Sequence, residues 1–109
     1  MNYKIEKNTV QETLIIPLYT RKMCAEVYPS LYRDETALRL VNAVDYNFSA
    51  LQKKSHRLMQ RFGFLEVAMR QNDLAFEVRE YLKSHPNAAV VNLGCGLDST
   101  GRACDNGKC

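Results

Sequence analysis

The sequence predicts an α/β fold class, in which this chain supplies a mostly α-helical region followed by the first strand and its glycine loop. Two observations predict this fold class. Apolar side chains recur at intervals of three and four through residues 9–84, which is the spacing of amphipathic helices. The short apolar, β-branched run AAVVNL at 88–93 is then followed directly by the glycine loop GCG at 94–96. A buried strand that ends in such a glycine pair is typical of the first step of a nucleotide-type βαβ unit.

The first predicted helix begins at a capping box, in which the Thr9 hydroxyl and the Glu12 carboxylate satisfy backbone donors reciprocally. Residues 1–8 before it are polar, and we expect them to be frayed or extended. Pro17 has no N–H to donate, so we expect a kink there or a helix start closer to it. The helix should end before Pro29, because proline disfavours helical geometry in the residue that precedes it.

Three further helices are predicted before the strand. Asp34 is the predicted N-cap of the second helix, which residues 45–47 should end. Ser49 is the predicted cap of a third, polar helix, which we expect to be interrupted at Gly63. The fourth helix is predicted from about residue 64 to Ser84. After the glycine loop, the polar and glycine-rich residues to Cys109 predict no further element of useful length.

Length and composition fit one small globular domain. The chain has 109 residues, 46% of them hydrophobic and 25% charged, which excludes disordered, collagen-like and mucin-like chains. The net charge is +3, and the basic residues form no stripe with stacking aromatics, so we expect no nucleic acid partner. A signal peptide and a long apolar run are both missing from the sequence, which predicts a cytoplasmic protein without membrane association.

The four cysteines are interpreted as free thiols. The sequence has no C-x-x-C pair, and neither histidine lies near the C-terminal cysteines, so we predict no metal site. A disulfide framework would need an oxidising compartment, which nothing in the sequence indicates. A metal or redox protein that uses Cys95, Cys104 and Cys109 is kept as an alternative.

The glycine loop at 94–96 departs from two nucleotide-binding patterns. Ser99 stands where the dinucleotide fingerprint has its third glycine, and the G-K-[ST] ending of a P-loop is missing. Both departures argue against NAD and ATP. A tight structural turn without any ligand is the alternative interpretation of the loop.

The loop segment NLGCGLD, from Asn92 to Asp98, resembles that of methyltransferases that use S-adenosylmethionine. Asn92 stands for the usual acidic residue and Asp98 for the third glycine. This variant of the loop resembles the leucine carboxyl methyltransferase family, including its polyketide O-methyltransferase-like branch. Three other stretches resemble that branch in the same order, and the resemblance spans about residues 10–105. They are ETL…LYTR at 12–21, RDETA…DYNF at 33–48 and R…FEVREYL at 70–82.

The resemblance implies an S-adenosylmethionine-dependent O-methyltransferase with a Rossmann-like fold, of which this chain is the N-terminal portion. Residues 1–86 would form a helical cap region, and residues 87–109 the first strand and the cofactor-binding glycine loop. The implied reaction methylates a carboxylate or hydroxyl oxygen of a small molecule or of a protein C-terminus. The acidic residue that holds the cofactor's ribose would follow Cys109, and the 109-residue piece alone would be inactive.

Six residues match cofactor-binding positions of the family. Arg70 matches the arginine that pairs with the cofactor's carboxylate, and a planar guanidinium suits that role. Arg21, or its neighbour Lys22, matches a basic residue near the same pocket. An ordinary surface helix charge is the alternative for each arginine, and no general base is identified. The remaining matches lie in the loop: Gly94, Cys95, Gly96 and Asp98.

A single parallel strand with two unpaired edges is not stable alone. We therefore expect residues 88–93 to pair with residues that follow Cys109 or with another chain, through which the protein would self-associate. The alternative function is a truncated, non-catalytic helical interaction module. Such a module would bind no cofactor and would form a dimer or a hetero-complex.

Overall fold

The computed structural model describes residues 2–109, apart from the side chain of Ser55, and most of its regular structure is helical. None of the helices in this range is long and apolar enough to cross a membrane. The chain divides into two compact units, one ending at Ala68 and the other beginning at Met69. The elements are β1 (Tyr3–Lys4), α1 (Val10–Thr13), α2 (Ile15–Val27), α3 (Glu35–Ala43), β2 (Val44–Asp45), α4 (Ser49–Ser55), α5 (Leu58–Ser84) and α6 (Thr100–Cys104).

The first helical stretch is divided at Leu14, between α1 and α2. Because α2 begins at Ile15, Pro17 lies in the first turn, where a missing N–H removes no intrahelical hydrogen bond. The expected helix start close to Pro17 is thus confirmed. The expected end before Pro29 is confirmed as well, since α2 ends at Val27.

The predicted capping box is wrong in its pairing. Thr9 is the N-cap of α1, but its hydroxyl donates to the carbonyl oxygen of Glu6 at 2.7 Å. The Glu12 carboxylate instead accepts the backbone N–H of Asn8 at 2.7 Å. Asn8 has a φ of 60°, and this left-handed turn presents its N–H to the carboxylate in place of that of Thr9.

The two short strands β1 and β2 pair in parallel, with Tyr3 opposite Val44 and Lys4 opposite Asp45. The pairing ties part of the N-terminal segment, which we expected to be frayed or extended, to the end of α3. Val44 has the extended backbone of a strand, so α3 ends at Ala43, earlier than predicted. Asp34 is confirmed as the N-cap of α3, and its Oδ1 accepts the Ala37 N–H at 2.8 Å.

The helix interruption predicted at Gly63 is wrong, because α5 runs through that residue from Leu58 to Ser84. The interruption lies between α4 and α5, at residues 56–57. A glycine inside a helix costs only about 1 kcal/mol relative to alanine, which a helix of this length tolerates. The predicted end of this helix at Ser84 is confirmed, whereas the N-cap of α4 is Phe48 rather than Ser49.

The core of the first unit lies around α2. The Tyr19 ring stacks on Phe48 with centroids 5.4 Å apart, and Ala68 of α5 is fully buried. Removing these side chains from water supplies the main stabilising term of the unit. The buried residues of this core are Tyr19, Met23, Cys24, Ala25, Tyr32 and Ala68, with Phe48, Leu51, Phe64 and Leu65 packed against them.

The second unit contains the C-terminal part of α5 and the short helix α6, which the sequence did not predict. The Arg79 guanidinium donates to the carbonyl oxygen of Ala103 at 3.2 Å. The thiol of Cys104, which is buried, donates to the carbonyl oxygen of Ala75 at 3.6 Å. These contacts fix α6 against α5.

Residues 88–93, for which we predicted a strand, contain neither helix nor strand. Val91 is 76% exposed and Leu93 is 88% exposed. For the chain as the structure describes it, the strand prediction is wrong, because the segment has no neighbouring strand with which to form a ladder. That this run is a strand of a larger Rossmann-like sheet stays a prediction.

Candidate functional site

The glycine loop forms a tight turn at 94–96. Gly94 has a φ of 63° and Gly96 a φ of 52°, so both lie in the left-handed region that other residues avoid. The backbone N–H of Asp98 donates to the carbonyl oxygen of Cys95 at 2.8 Å and closes the turn. Apart from Gly94 and its two chain neighbours, no atom of the described residues lies within 4 Å of the position that a Cβ of Gly94 would occupy. The turn therefore requires the glycines for their backbone conformation and leaves open space beside Gly94.

The carboxylate of Asp98 joins the two ends of the loop. Its Oδ2 accepts the side-chain amide of Asn92 at 3.1 Å. Its Oδ1 accepts both the backbone N–H and the hydroxyl of Thr100, each at 2.6 Å. Asp98 is among the residues predicted to bind the cofactor, and the structure shows its carboxylate engaged by the loop itself.

Arg70 is exposed on α5, in the same unit as the loop. Within the described part of the chain, no hydrogen bond or ion pair engages its guanidinium. The next residue, Gln71, donates its side-chain amide to the Ser99 hydroxyl at 3.0 Å. This contact fixes the turn of α5 that carries Arg70 to the segment between the glycines and α6.

Arg21, the other predicted arginine, belongs to the first unit and is only 4% exposed. Its Nε lies 3.4 Å from Oδ2 of Asp34, which also accepts the hydroxyl of Tyr32 at 2.9 Å. Burial, and next the adjacent Asp34 charge, raise the pKa of Tyr32. The structure thus gives Arg21 a role in a buried polar cluster of Arg21, Tyr32 and Asp34. A cofactor contact of Arg21 stays a prediction.

Lys22, the alternative to Arg21, is a half-buried residue of α2. Its ammonium group pairs with the Glu26 carboxylate at 2.7 Å and lies 5.7 Å from the centroid of the Tyr19 ring. These are ordinary contacts of a solvated helix charge, and they account for Lys22 without a ligand.

All four cysteines are free thiols in the structure. Cys95 in the glycine loop and Cys109 are exposed, whereas Cys24 and Cys104 are buried. Burial raises the pKa of the Cys24 thiol to about 11. Among the described residues, no three Cys, His, Asp or Glu side chains gather in a way that could hold a metal ion.

Sequence reasoning missed Asn92, Gln71 and Thr100 as residues that organise the loop. One signal was available for Asn92, because Asn92 and Asp98 flank the glycines and each offers a complementary polar group. The contacts of Gln71 with Ser99 and of Arg21 with Asp34 could not be predicted in this way, because the two partners in each contact are distant in sequence.

Comparison with known proteins relates the chain to an O-methyltransferase. It is 30% identical over 99 residues to the tetracenomycin polyketide synthesis O-methyltransferase TcmP of Streptomyces glaucescens. The match covers 91% of this chain and 34% of TcmP, so the chain spans about a third of the length of that relative. No protein-family model and no solved structure matches the chain. Membership of the leucine carboxyl methyltransferase family therefore stays a prediction.

Proposed function

We propose that the chain is the N-terminal portion of an S-adenosylmethionine-dependent O-methyltransferase with a Rossmann-like fold. The observation that carries the proposal is the glycine loop, in which Gly94 and Gly96 both hold left-handed backbone conformations. The loop lies in a chain of which 91% is similar in sequence to part of an O-methyltransferase. Two such glycines after an apolar run are the arrangement that lets a backbone approach a nucleotide-like ligand closely.

The residues present fit the cofactor. The open space beside Gly94 leaves room for a ligand against the loop backbone. The exposed guanidinium of Arg70 can hold a carboxylate through two parallel hydrogen bonds. Arg70 would therefore hold the carboxylate of the methionine portion, and residues 94–96 would lie under the methionine and ribose portions. When bound, S-adenosylmethionine supplies a transferable methyl group on its sulfonium sulfur.

The proposed reaction is in-line transfer of that methyl group to a carboxylate or hydroxyl oxygen. Its rate would depend largely on holding donor and acceptor in line and at near-attack distance. A carboxylate acceptor is already a nucleophile and needs no general base. The contribution of this chain would be to bind and orient the methyl donor.

Calorimetric titration of S-adenosylmethionine into the longer protein, of which this chain is the proposed N-terminal portion, tests the role of Arg70. We expect Arg70→Ala to weaken binding at least about tenfold, since it removes a charge-assisted pair. Arg70→Lys should recover only part of the affinity, because an ammonium group cannot form the bidentate contact. Arg39→Ala is the matched control, because Arg39 is an exposed helix arginine of the other unit. Equal affinity of the Arg70→Ala variant and the unchanged chain would refute the assignment of Arg70.

A second candidate function, a helical interaction module, is favoured by exposed apolar side chains at the start of α5. Leu58 is 81%, Met59 is 85% and Phe62 is 74% exposed. Clusters of this kind often mark protein–protein contacts. Sedimentation equilibrium separates the candidates, since the module predicts a dimer or hetero-complex and no binding of S-adenosylmethionine.

A further inference from the structure

We propose that Asp98 is a positioning residue, which holds the glycine loop in shape by joining Asn92 to Thr100, and that it is not itself a ligand of the cofactor. This inference rests on the proposed function, because the loop is taken to be the cofactor site. We call the contacts between the Asp98 carboxylate and these two residues the Asp98 clamp.

The geometry of the Asp98 clamp assigns both carboxylate oxygens to the protein. Oδ2 accepts from Asn92, which precedes the glycines, and Oδ1 accepts two donors from Thr100, which begins α6. Between these contacts, the Asp98 N–H closes the turn onto Cys95 at 2.8 Å. The carboxylate therefore connects the entry and the exit of the loop, and the left-handed glycines lie between them.

The chemistry of the clamp depends on a donor facing an acceptor. An ionised carboxylate only accepts hydrogen bonds, and Asn92 and Thr100 supply N–H and O–H donors to it. Asp98→Ala removes both acceptors, so neither Asn92 nor Thr100 keeps its contact with position 98. Exchanging the two residues, Asn92→Asp with Asp98→Asn, restores an acceptor opposite a donor.

This exchange separates positioning from ligand contact. If Asp98 acts by shaping the loop, the Asn92–Asp98 pair matters, and either order of amide and carboxylate serves. If Asp98 contacts the cofactor, the carboxylate is needed at position 98 itself, and the exchange cannot restore binding. The Asp105→Ala variant is a matched control, because Asp105 accepts the Gly107 N–H in an exposed turn of the same unit.

The test measures amide hydrogen exchange on the 109-residue chain and S-adenosylmethionine affinity on the longer protein that the proposed function implies, each with the same variants. For Asp98→Ala we expect at least about tenfold faster exchange of the amide at position 98 and about tenfold weaker binding, the loss typical of one hydrogen bond to a charged group. The variant with both Asn92→Asp and Asp98→Asn should lie within about threefold of the unchanged protein in amide exchange rate and in affinity, a difference of less than about 1 kcal/mol. Asp105→Ala should change neither the exchange of the amide at position 98 nor the affinity for S-adenosylmethionine.

Two results would overturn the proposal. Unchanged hydrogen exchange in Asp98→Ala would show that the clamp does not hold the loop. Recovered exchange but still weakened binding in the exchanged pair would show that Asp98 contacts the cofactor directly. If none of the proteins binds S-adenosylmethionine while hydrogen exchange follows the expected pattern, the clamp is supported and the proposed function is contradicted.

Discussion

Replacing Asp34 should destabilise the first unit more than replacing any exposed acidic residue. Asp34 is 7% exposed and Arg21 is 4% exposed, and their side chains lie 3.4 Å apart. Asp34 also accepts the Tyr32 hydroxyl and caps α3 through the Ala37 N–H. The substitution Asp34→Asn keeps a good helix cap but removes the negative charge that faces Arg21.

The magnitudes follow from these contacts. Removing one partner of a buried ion pair costs about 3–5 kcal/mol, which we expect for Asp34→Asn. Asp34→Ala should lose about 1 kcal/mol more, because alanine cannot cap α3. Tyr32→Phe removes one hydrogen bond to a charged group and should cost about 1.5 kcal/mol. The exposed neighbour Glu35 acts only through the helix dipole, so Glu35→Ala should cost less than about 1 kcal/mol.

Urea denaturation followed by circular dichroism measures each free energy of unfolding. A small domain has only about 5–15 kcal/mol of stability, so the loss in Asp34→Ala is large enough to unfold a marginal domain. Tyr32→Phe and Asp34→Asn test the same reasoning with smaller losses. A free energy of unfolding for Asp34→Asn within about 1 kcal/mol of the unchanged chain would refute the reasoning, since it would show that the charge facing Arg21 contributes little.

Three further outcomes are expected. A thiol reagent should modify the two exposed cysteines first and Cys24 only after unfolding, because burial raises the pKa of Cys24 to about 11; fast reaction at Cys24 would contradict this. The pKa of the Glu12 carboxyl is lowered by the Asn8 N–H and next by the Tyr46 hydroxyl. The stability that ionised Glu12 contributes is therefore present above its ordinary pKa and is lost as the pH falls through its lowered pKa. Tyr46→Phe should therefore raise the pKa of Glu12 in carboxyl NMR, and an unchanged pKa would exclude this hydrogen bond. Gly94→Ala should cost about 1–2 kcal/mol in urea denaturation through its left-handed φ, and an unchanged stability would show that the turn relaxes.

The sequence predicted those elements whose signals are local. Pro29 ends α2 through its effect on the preceding residue, and Asp34 caps α3 through its own side chain. The missed features depend on distant partners. The two-residue strands have no periodicity to detect, and each exists only because the other lies beside it. Likewise, nothing near Arg21 in sequence indicates that Asp34 would lie against it.

The candidate site was predicted only in part, for a related reason. The glycine pair indicates a tight turn by itself, because its backbone freedom is a local property. The run at 88–93 was predicted as a strand from its composition, but strands form by pairing, and composition does not supply a partner. The Asp98 clamp was missed for the same reason. The family resemblance indicated Asp98 as a site residue, but its hydrogen bonds to Asn92 and Thr100 could be identified only from the structure.

The most direct test of the central claim, that this glycine loop binds S-adenosylmethionine, is an NMR titration of the longer protein that the proposed function implies, in which the backbone amides of residues 2–109 are followed. The account predicts saturable shifts at Gly94, Gly96 and Arg70, with smaller shifts in residues 2–68. Absence of shifts at saturating cofactor, or shifts confined to the first unit, would contradict it.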